Sequence, residues 1–156
     1  MADSAADLYP FLAMAAWFTD RPLYDSDMLE ILRQEVRHTT RVGMLSDDVQ
    51  AGGGFVREEV DLDRVIFGSC EYAKDGLTPI IEVTGPDSPW FARMQEIIDD
   101  IFKHAPCDTP YGQIPSTNVE VNGELLQVLT RFHFLTGDAR YLELAERIGD
   151  AYCLEV

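Results

Sequence analysis

Residues 135–142 read Leu-Thr-Gly-Asp-Ala-Arg-Tyr-Leu, and this stretch decides the fold. The residues before it are apolar at helical spacing, namely Leu125, Leu126, Val128, Leu129, Phe132 and Leu135. The residues after it resume the same spacing, namely Tyr141, Leu142, Leu144, Ala145, Ile148 and Tyr152. Two amphipathic helices are therefore predicted. Because Thr-Gly-Asp is a short connection, the two helices should form an antiparallel hairpin.

A second hairpin is predicted upstream of this one. Its turn lies at residues 84–87, where Thr-Gly-Pro-Asp is a strong turn signal, and Ser88 is the expected N-cap of the helix that follows. The helix before the turn is predicted over about residues 62–75. It either ends at Gly76 or restarts through residues 77–83.

The first hairpin opens with a largely apolar helix. Its first helix is predicted to begin at Pro10, whose fixed φ suits a first turn, and to stop before Pro22 at residues 19–20. A second helix should follow Asp25 or Ser26 as N-cap and end at Gly43, that is, about residues 25–43.

Together these patterns predict an all-α fold, a single array of antiparallel helical hairpins over residues 1–156. The connections between hairpins, residues 44–60 and 105–121, are long, whereas the turns within hairpins are short. In such an array the short turns should lie at one end and the long loops at the other. Binding and catalytic residues concentrate on long loops, so we expect a site at the long-loop end. The three hairpins span about residues 8–43, 61–104 and 121–154.

Composition excludes several classes of partner. The chain has 28 acidic and 12 basic residues and a net charge of −16, which disfavours nucleic acid and anionic membranes as partners. The longest apolar run, residues 11–18, is too short to span a bilayer, and the first residues have no basic segment typical of a signal peptide. We therefore expect a cytoplasmic location by default. The three widely spaced cysteines and three histidines match no metal-ligand spacing, so no metal and no cofactor are predicted.

A family resemblance rests on residues 122–127 (Asn-Gly-Glu-Leu-Leu-Gln), 135–142 and 145–148 (Ala-Glu-Arg-Ile). These segments resemble the helical hairpins of the six-hairpin (α/α) toroids, a superfamily that includes unsaturated glucuronyl hydrolases and N-acylglucosamine 2-epimerase-like proteins. The resemblance implies a carbohydrate-processing protein. It covers residues 118–153 well and the remainder only by pattern.

The chain supplies three of the six hairpins that such a toroid needs. The resemblance therefore implies half of a toroid or a fragment of one. An open array leaves the flanks of its terminal hairpins uncovered, which repeat proteins normally avoid. We expect either self-association or pairing with the remaining hairpins of a longer chain.

The resemblance also implies which residues form the site, because members of the superfamily place carboxylates and aromatic rings around a central funnel. On that basis Glu120 and Glu124 are the expected catalytic pair. The expected substrate-binding residues are Tyr111, Asn118, Asn122 and Asp48. A structural alternative stays open for each of three positions: Asn122 as a helix cap, Glu124 as a partner of the helix dipole, and Asp48 as a solvated loop charge.

Three functions follow from this sequence. The first is a glycoside hydrolase-like protein that acts on an oligosaccharide through paired carboxylates. The second is a non-catalytic helical module that binds glycan or protein on the same face. The third is a structural fragment whose site residues lie in other hairpins.

Overall fold

The computed structural model of the chain describes residues 2–26, 62–105 and 107–154. These parts are mostly helical, with one small two-stranded sheet, which confirms the all-α class. The strands are β1 (Cys107–Thr109) and β2 (Gly112–Ile114), and residues 21–26 are also helical. The helices are α1 (Ala2–Thr19), α2 (Leu62–Glu71), a π-helical segment (Tyr72–Leu77), α3 (Thr78–Thr84), α4 (Pro89–His104), α5 (Val119–Thr136) and α6 (Ala139–Cys153).

The turn between α5 and α6 lies where the sequence predicts it. Gly137 ends α5 with a φ of +70°, and Asp138 caps α6 by accepting a hydrogen bond from the Arg140 N–H. The helices run antiparallel, because Phe132 near the end of α5 lies against Tyr141 at the start of α6, with ring centroids 5.9 Å apart.

The chain stays helical from residue 62 to residue 84, so of the two predicted alternatives the helix that resumes through residues 77–83 agrees with the structure, and a π-helical segment joins it to α2. Pro79 has no N–H and cannot bond to the carbonyl four residues earlier. The wider π turn accommodates this, with the Thr78 N–H and the Thr78 hydroxyl both donating to the Ala73 carbonyl, the hydroxyl at 2.7 Å. Gly85, with a φ of +89°, then ends α3.

The first helices of successive hairpins run parallel to one another. Lys74 contacts Glu124, and eight positions further along the chain Glu82 contacts Arg131, so the contacts advance in the same direction on both helices. At the short-turn end, Trp90 Nε1 donates to the Tyr24 hydroxyl at 3.1 Å, which places the residues after α1 beside the start of α4.

The second helices follow the same rule. Gln95 of α4 donates to the Tyr141 hydroxyl at 3.2 Å, and further along both helices the Arg147 guanidinium lies 5.8 Å from the centre of the Phe102 ring. The described helices thus form two layers. The core between them contains the fully buried Ile66, Leu77, Ile80, Trp90, Met94, Ile98, Leu125 and Leu129.

Several predicted boundaries in the first hairpin are wrong. Helix α1 begins at Ala2, with Pro10 in its interior, since the alanine-rich residues before Pro10 favour the helix. It ends at Thr19 as expected. The next helical residues begin at 21 because Asp20, and not Asp25 or Ser26, accepts the first-turn hydrogen bond, from the Leu23 N–H at 3.1 Å. The remainder of the predicted second helix, and residues 44–60 with Asp48, lie outside the described residues.

The segment predicted as a loop over residues 105–121 contains the β1–β2 hairpin, in which Cys107 pairs with Ile114 and Thr109 with Gly112. Helix α5 begins at Val119, earlier than the predicted start near Asn122. No helix in the described residues combines the length and the apolar character that a membrane span requires.

Candidate functional site

The start of α5 is set by local hydrogen bonds. The Asn118 side chain accepts from the Glu120 N–H at 2.8 Å, and the Ser116 hydroxyl accepts from the Asn118 N–H at 3.0 Å. Asn118 is therefore the N-cap, the role considered for Asn122 from sequence. Glu120 is exposed in the first turn, where the helix N-terminus favours a negative charge.

Asn122 lies on the edge of α5 that faces α6 and is fully buried. Its amide donates to the Ser116 carbonyl at 2.5 Å and to the Tyr152 hydroxyl at 2.7 Å. Its Oδ1 atom is buried and has no hydrogen-bond partner. Through these hydrogen bonds Asn122 of α5 holds the end of the 107–118 segment and α6 in place.

Glu124 lies on the opposite edge of α5 and faces the π-helical segment. Lys74 Nζ donates to its Oε1 at 2.6 Å and also lies 3.4 Å from an Asp75 carboxylate oxygen. The Glu124 side chain is 11% exposed and that of Lys74 is 25% exposed. The second carboxylate oxygen of Glu124, Oε2, is buried without a partner.

The electrostatics of this edge keep Lys74 charged. Its hydrogen bond to Glu124 raises the pKa of the Lys74 ammonium above the ordinary value, although burial acts in the opposite direction. One helical turn before it, burial raises the pKa of the Cys70 thiol, and the negative charges of Glu124 and Glu71 add to the shift. Cys70 is therefore a neutral core thiol rather than a nucleophile.

We call this region the α5 amino-terminal site and define it as Lys74, Ser116, Asn118, Glu120, Asn122 and Glu124. Glu120 and Glu124 are four residues apart on one edge of α5, so their Cβ atoms are about 5–6 Å apart. Two carboxylates in this arrangement present acceptors along one side of a ligand. Lys74 adds a cation to the same edge.

The other expected site residues are placed differently. Tyr111 lies in the turn between β1 and β2, 37% exposed, and its N–H bonds to the Thr109 hydroxyl within that turn. Asp48 lies outside the described residues. The structure therefore brings together Asn118, Glu120, Asn122 and Glu124 on α5 and its cap, with Tyr111 on the preceding β-hairpin.

Sequence reasoning missed Lys74, Ser116 and Tyr152. Ser116 and Tyr152 meet at Asn122, and Lys74 reaches Glu124 across 50 residues of sequence. One signal pointed to the region of Lys74, because Gly76 and Pro79 interrupt a helical pattern there. Such interruptions can mark a π-helical segment, and π-helical segments are frequent at functional sites.

Among the residues that the structure describes, no group of three or more histidine, cysteine, aspartate or glutamate side chains is arranged to hold a metal ion. Comparison of the chain with protein-family models, curated proteins and solved structures found no match.

Proposed function

We propose that the α5 amino-terminal site binds an oligosaccharide, as part of a glycoside hydrolase-like helical array. The observation that supports this most is Glu124 Oε2, a buried carboxylate oxygen that has no hydrogen-bond partner among the described residues. Buried acceptors normally have a hydrogen-bond partner because leaving one unsatisfied costs about 1–3 kcal/mol. Sugar hydroxyls are donors that would supply the missing bond.

In catalysis the two carboxylates would have different roles. Glu124 is held by Lys74 and is the fixed acceptor that orients the ligand. Glu120 is exposed one turn earlier and is the group able to exchange a proton with the ligand or with water. All the residues in these two roles lie on one edge of α5 and on the π-helical segment.

The second candidate function is non-catalytic glycan or protein binding. It is favoured by the ion pair itself, because Lys74 already occupies one oxygen of Glu124. It is favoured also by the position of both carboxylates on one edge of one helix. Hydrolysis through two carboxyl groups instead requires them to flank the scissile bond.

Calorimetric titration with neutral and uronic oligosaccharides, followed by a search for released reducing ends, tests both candidates. The proposal predicts saturable binding that weakens about tenfold or more in Glu124→Gln. Glu82→Gln, which removes a carboxylate near the opposite end, is the matched control and should bind normally. Turnover that is lost in Glu120→Gln with binding kept supports catalysis; absence of any binding contradicts the proposal.

We also propose that the outer surface of α1 packs against a further helical hairpin, as in a larger toroid. Phe11, Leu12 and Phe18 are 43, 52 and 69% exposed there. The further hairpin comes either from a second copy of the chain or from a longer chain. Light scattering distinguishes the two, since a second copy doubles the mass of the particle. A monodisperse, thermally stable monomer contradicts the idea that this chain covers α1 by self-association.

A further inference from the structure

Arg147 of α6 has an unusual environment for a cation in this chain. Its side chain is half-buried, with the guanidinium 5.8 Å from the centre of the Phe102 ring. On its other side lies Gly112 of β2, whose φ is +114°. A Cβ atom added to Gly112 would lie 2.9 Å from both Cδ and Nε of Arg147. The side chain is thus held between an aromatic ring and a backbone position that only glycine suits.

Among the residues that the structure describes, Arg147 has no ion-pair or hydrogen-bond partner, in contrast with four other arginines in the same ranges. Arg21 pairs with Asp25, Arg93 with Glu96, Arg131 with Glu82 and Arg140 with Asp99. Two acids, Glu143 and Asp150, occupy the positions on α6 from which helical ion pairs normally form with Arg147. The side chain instead points toward the β-hairpin, so its charge is not compensated by its own helix.

The guanidinium lies near the proposed carbohydrate site. Gly112, which it contacts, is four residues from Ser116, which bonds to Asn122, so these two points are at most about 14 Å apart. Tyr111, one of the residues expected to contact a sugar, directly precedes Gly112. A short oligosaccharide lying along residues 111–118 would therefore meet Arg147, Tyr111 and the start of α5.

We propose that Arg147 binds the carboxylate of an acidic sugar unit, which makes an acidic oligosaccharide the ligand of this face. This inference rests on the proposed carbohydrate binding and specifies its substrate class. The planar guanidinium matches a carboxylate with two parallel hydrogen bonds, and its fixed position lowers the entropy lost on binding. A chain with a net charge of −16 repels an acidic ligand in general, so recognition requires an uncompensated cation at the point of contact.

The test compares oligogalacturonates with the same oligosaccharides carrying methyl-esterified carboxyls, by calorimetry on the full chain. Wild type should bind the acid form about 10–100-fold more tightly than the ester, the range expected for a charge-assisted pair. Arg147→Gln should lose this preference and bind both forms as wild type binds the ester, whereas Arg147→Lys should retain part of it. Arg140→Gln, on the same helix, makes the same change in net charge at an arginine already paired with Asp99, and should keep the preference.

The outcomes separate this inference from the proposed function. Equal binding of acid and ester by wild type, or an unchanged preference in Arg147→Gln, overturns the role of Arg147 and leaves carbohydrate binding in place. Failure of both forms to bind overturns carbohydrate binding at this face and the inference with it. Far-ultraviolet circular dichroism on each variant confirms that the helices are kept.

Discussion

Lys74 Nζ lies 2.6 Å from Glu124 Oε1, and this contact joins the π-helical segment to the first turns of α5. It connects residues 50 positions apart and lies two turns or less from the start of α5. The contact fixes one oxygen of a carboxylate and leaves the other buried without a partner. The Glu124 side chain therefore contributes to the stability of the fold through one oxygen and to the candidate site through the other.

The Lys74–Glu124 pair should be energetically coupled. Glu124→Gln and Lys74→Met should each lower the free energy of unfolding by about 1–3 kcal/mol, because each leaves a partly buried group unpaired. The double variant should lose less than the sum. Urea denaturation of the four proteins gives the coupling energy. The same cycle on the exposed Glu82–Arg131 pair, the matched control, should give about 0–1 kcal/mol, and strictly additive losses at Lys74 and Glu124 would refute the coupling.

The two asparagines of the α5 amino-terminal site should respond differently to conservative replacement. Asn118→Ala should cost about 1 kcal/mol, and Asn118→Asp or Asn118→Ser should restore most of it, because any good N-cap accepts from the Glu120 N–H. Asn122 donates two hydrogen bonds, so Asn122→Asp should not restore what Asn122→Ala loses. Guanidinium denaturation of the five variants checks this, and rescue of Asn122→Ala by aspartate would count against the assigned roles.

Gly112 should not tolerate alanine. A left-handed φ at a non-glycine residue costs about 1–3 kcal/mol, and the new Cβ atom would also press against Arg147. Gly112→Ala should therefore lower the midpoint of thermal unfolding, and less so in an Arg147→Ala background, where only the backbone strain persists.

Gly123→Ala is the matched control for that substitution. Gly123 lies inside α5 with no heavy atom within 4 Å of an added Cβ, so alanine there should stabilise the protein by about 0.5–1 kcal/mol. Equal effects of the two substitutions would contradict the described backbone at Gly112.

Asp100 should make stability depend on pH in an unusual direction. Burial raises the pKa of the Asp100 carboxyl above 3.8, against the opposing charges of His104, Lys103 and Arg93. The folded state thus binds the Asp100 proton more tightly than the unfolded state does. The protonated carboxyl therefore contributes stability below pH 3.8, and this contribution is lost as the pH rises through the raised pKa of the folded state. Asp100→Asn should be more stable than wild type at neutral pH, with a difference that shrinks in acid.

Thermal unfolding measured from pH 3 to pH 8, a range chosen to bracket the ordinary carboxyl value, tests this expectation. The exposed Asp87 provides the control: Asp87→Asn makes the same change in net charge without removing a half-buried carboxyl. A difference for Asp100→Asn that stays constant across the range would show that burial does not govern this carboxyl.

The parts of the fold that sequence predicts are those determined by neighbouring residues. Gly137 and Asp138 define a turn, and Ser88 caps α4 by accepting from the Phe91 N–H, because each signal acts within four residues. The two three-residue strands were missed because they are too short to show alternation. The π-helical segment around Gly76 was not predicted because a π turn depends on backbone adjustment around Pro79.

The same reason explains which neighbours within the candidate site the sequence could predict. Asn118, Glu120, Asn122 and Glu124 occupy alternate positions around a recognisable helix start, so the sequence alone places them close to one another. Their partners Lys74 and Tyr152 come from other helices, and only packing brings them close. Arg147 was not singled out because its lack of a partner is a property of three-dimensional structure.

The most direct test of carbohydrate binding at this end of the array is a titration of ¹⁵N-labelled protein with oligogalacturonates, followed by ¹H–¹⁵N correlation spectra. Carbohydrate binding at this face should give saturable shifts of the backbone amides of residues 111–124 and of Arg147, while amides at the opposite end, residues 85–88 and 137–138, stay unchanged. Shifts confined to the short-turn end, or no shifts at saturating ligand, would contradict it.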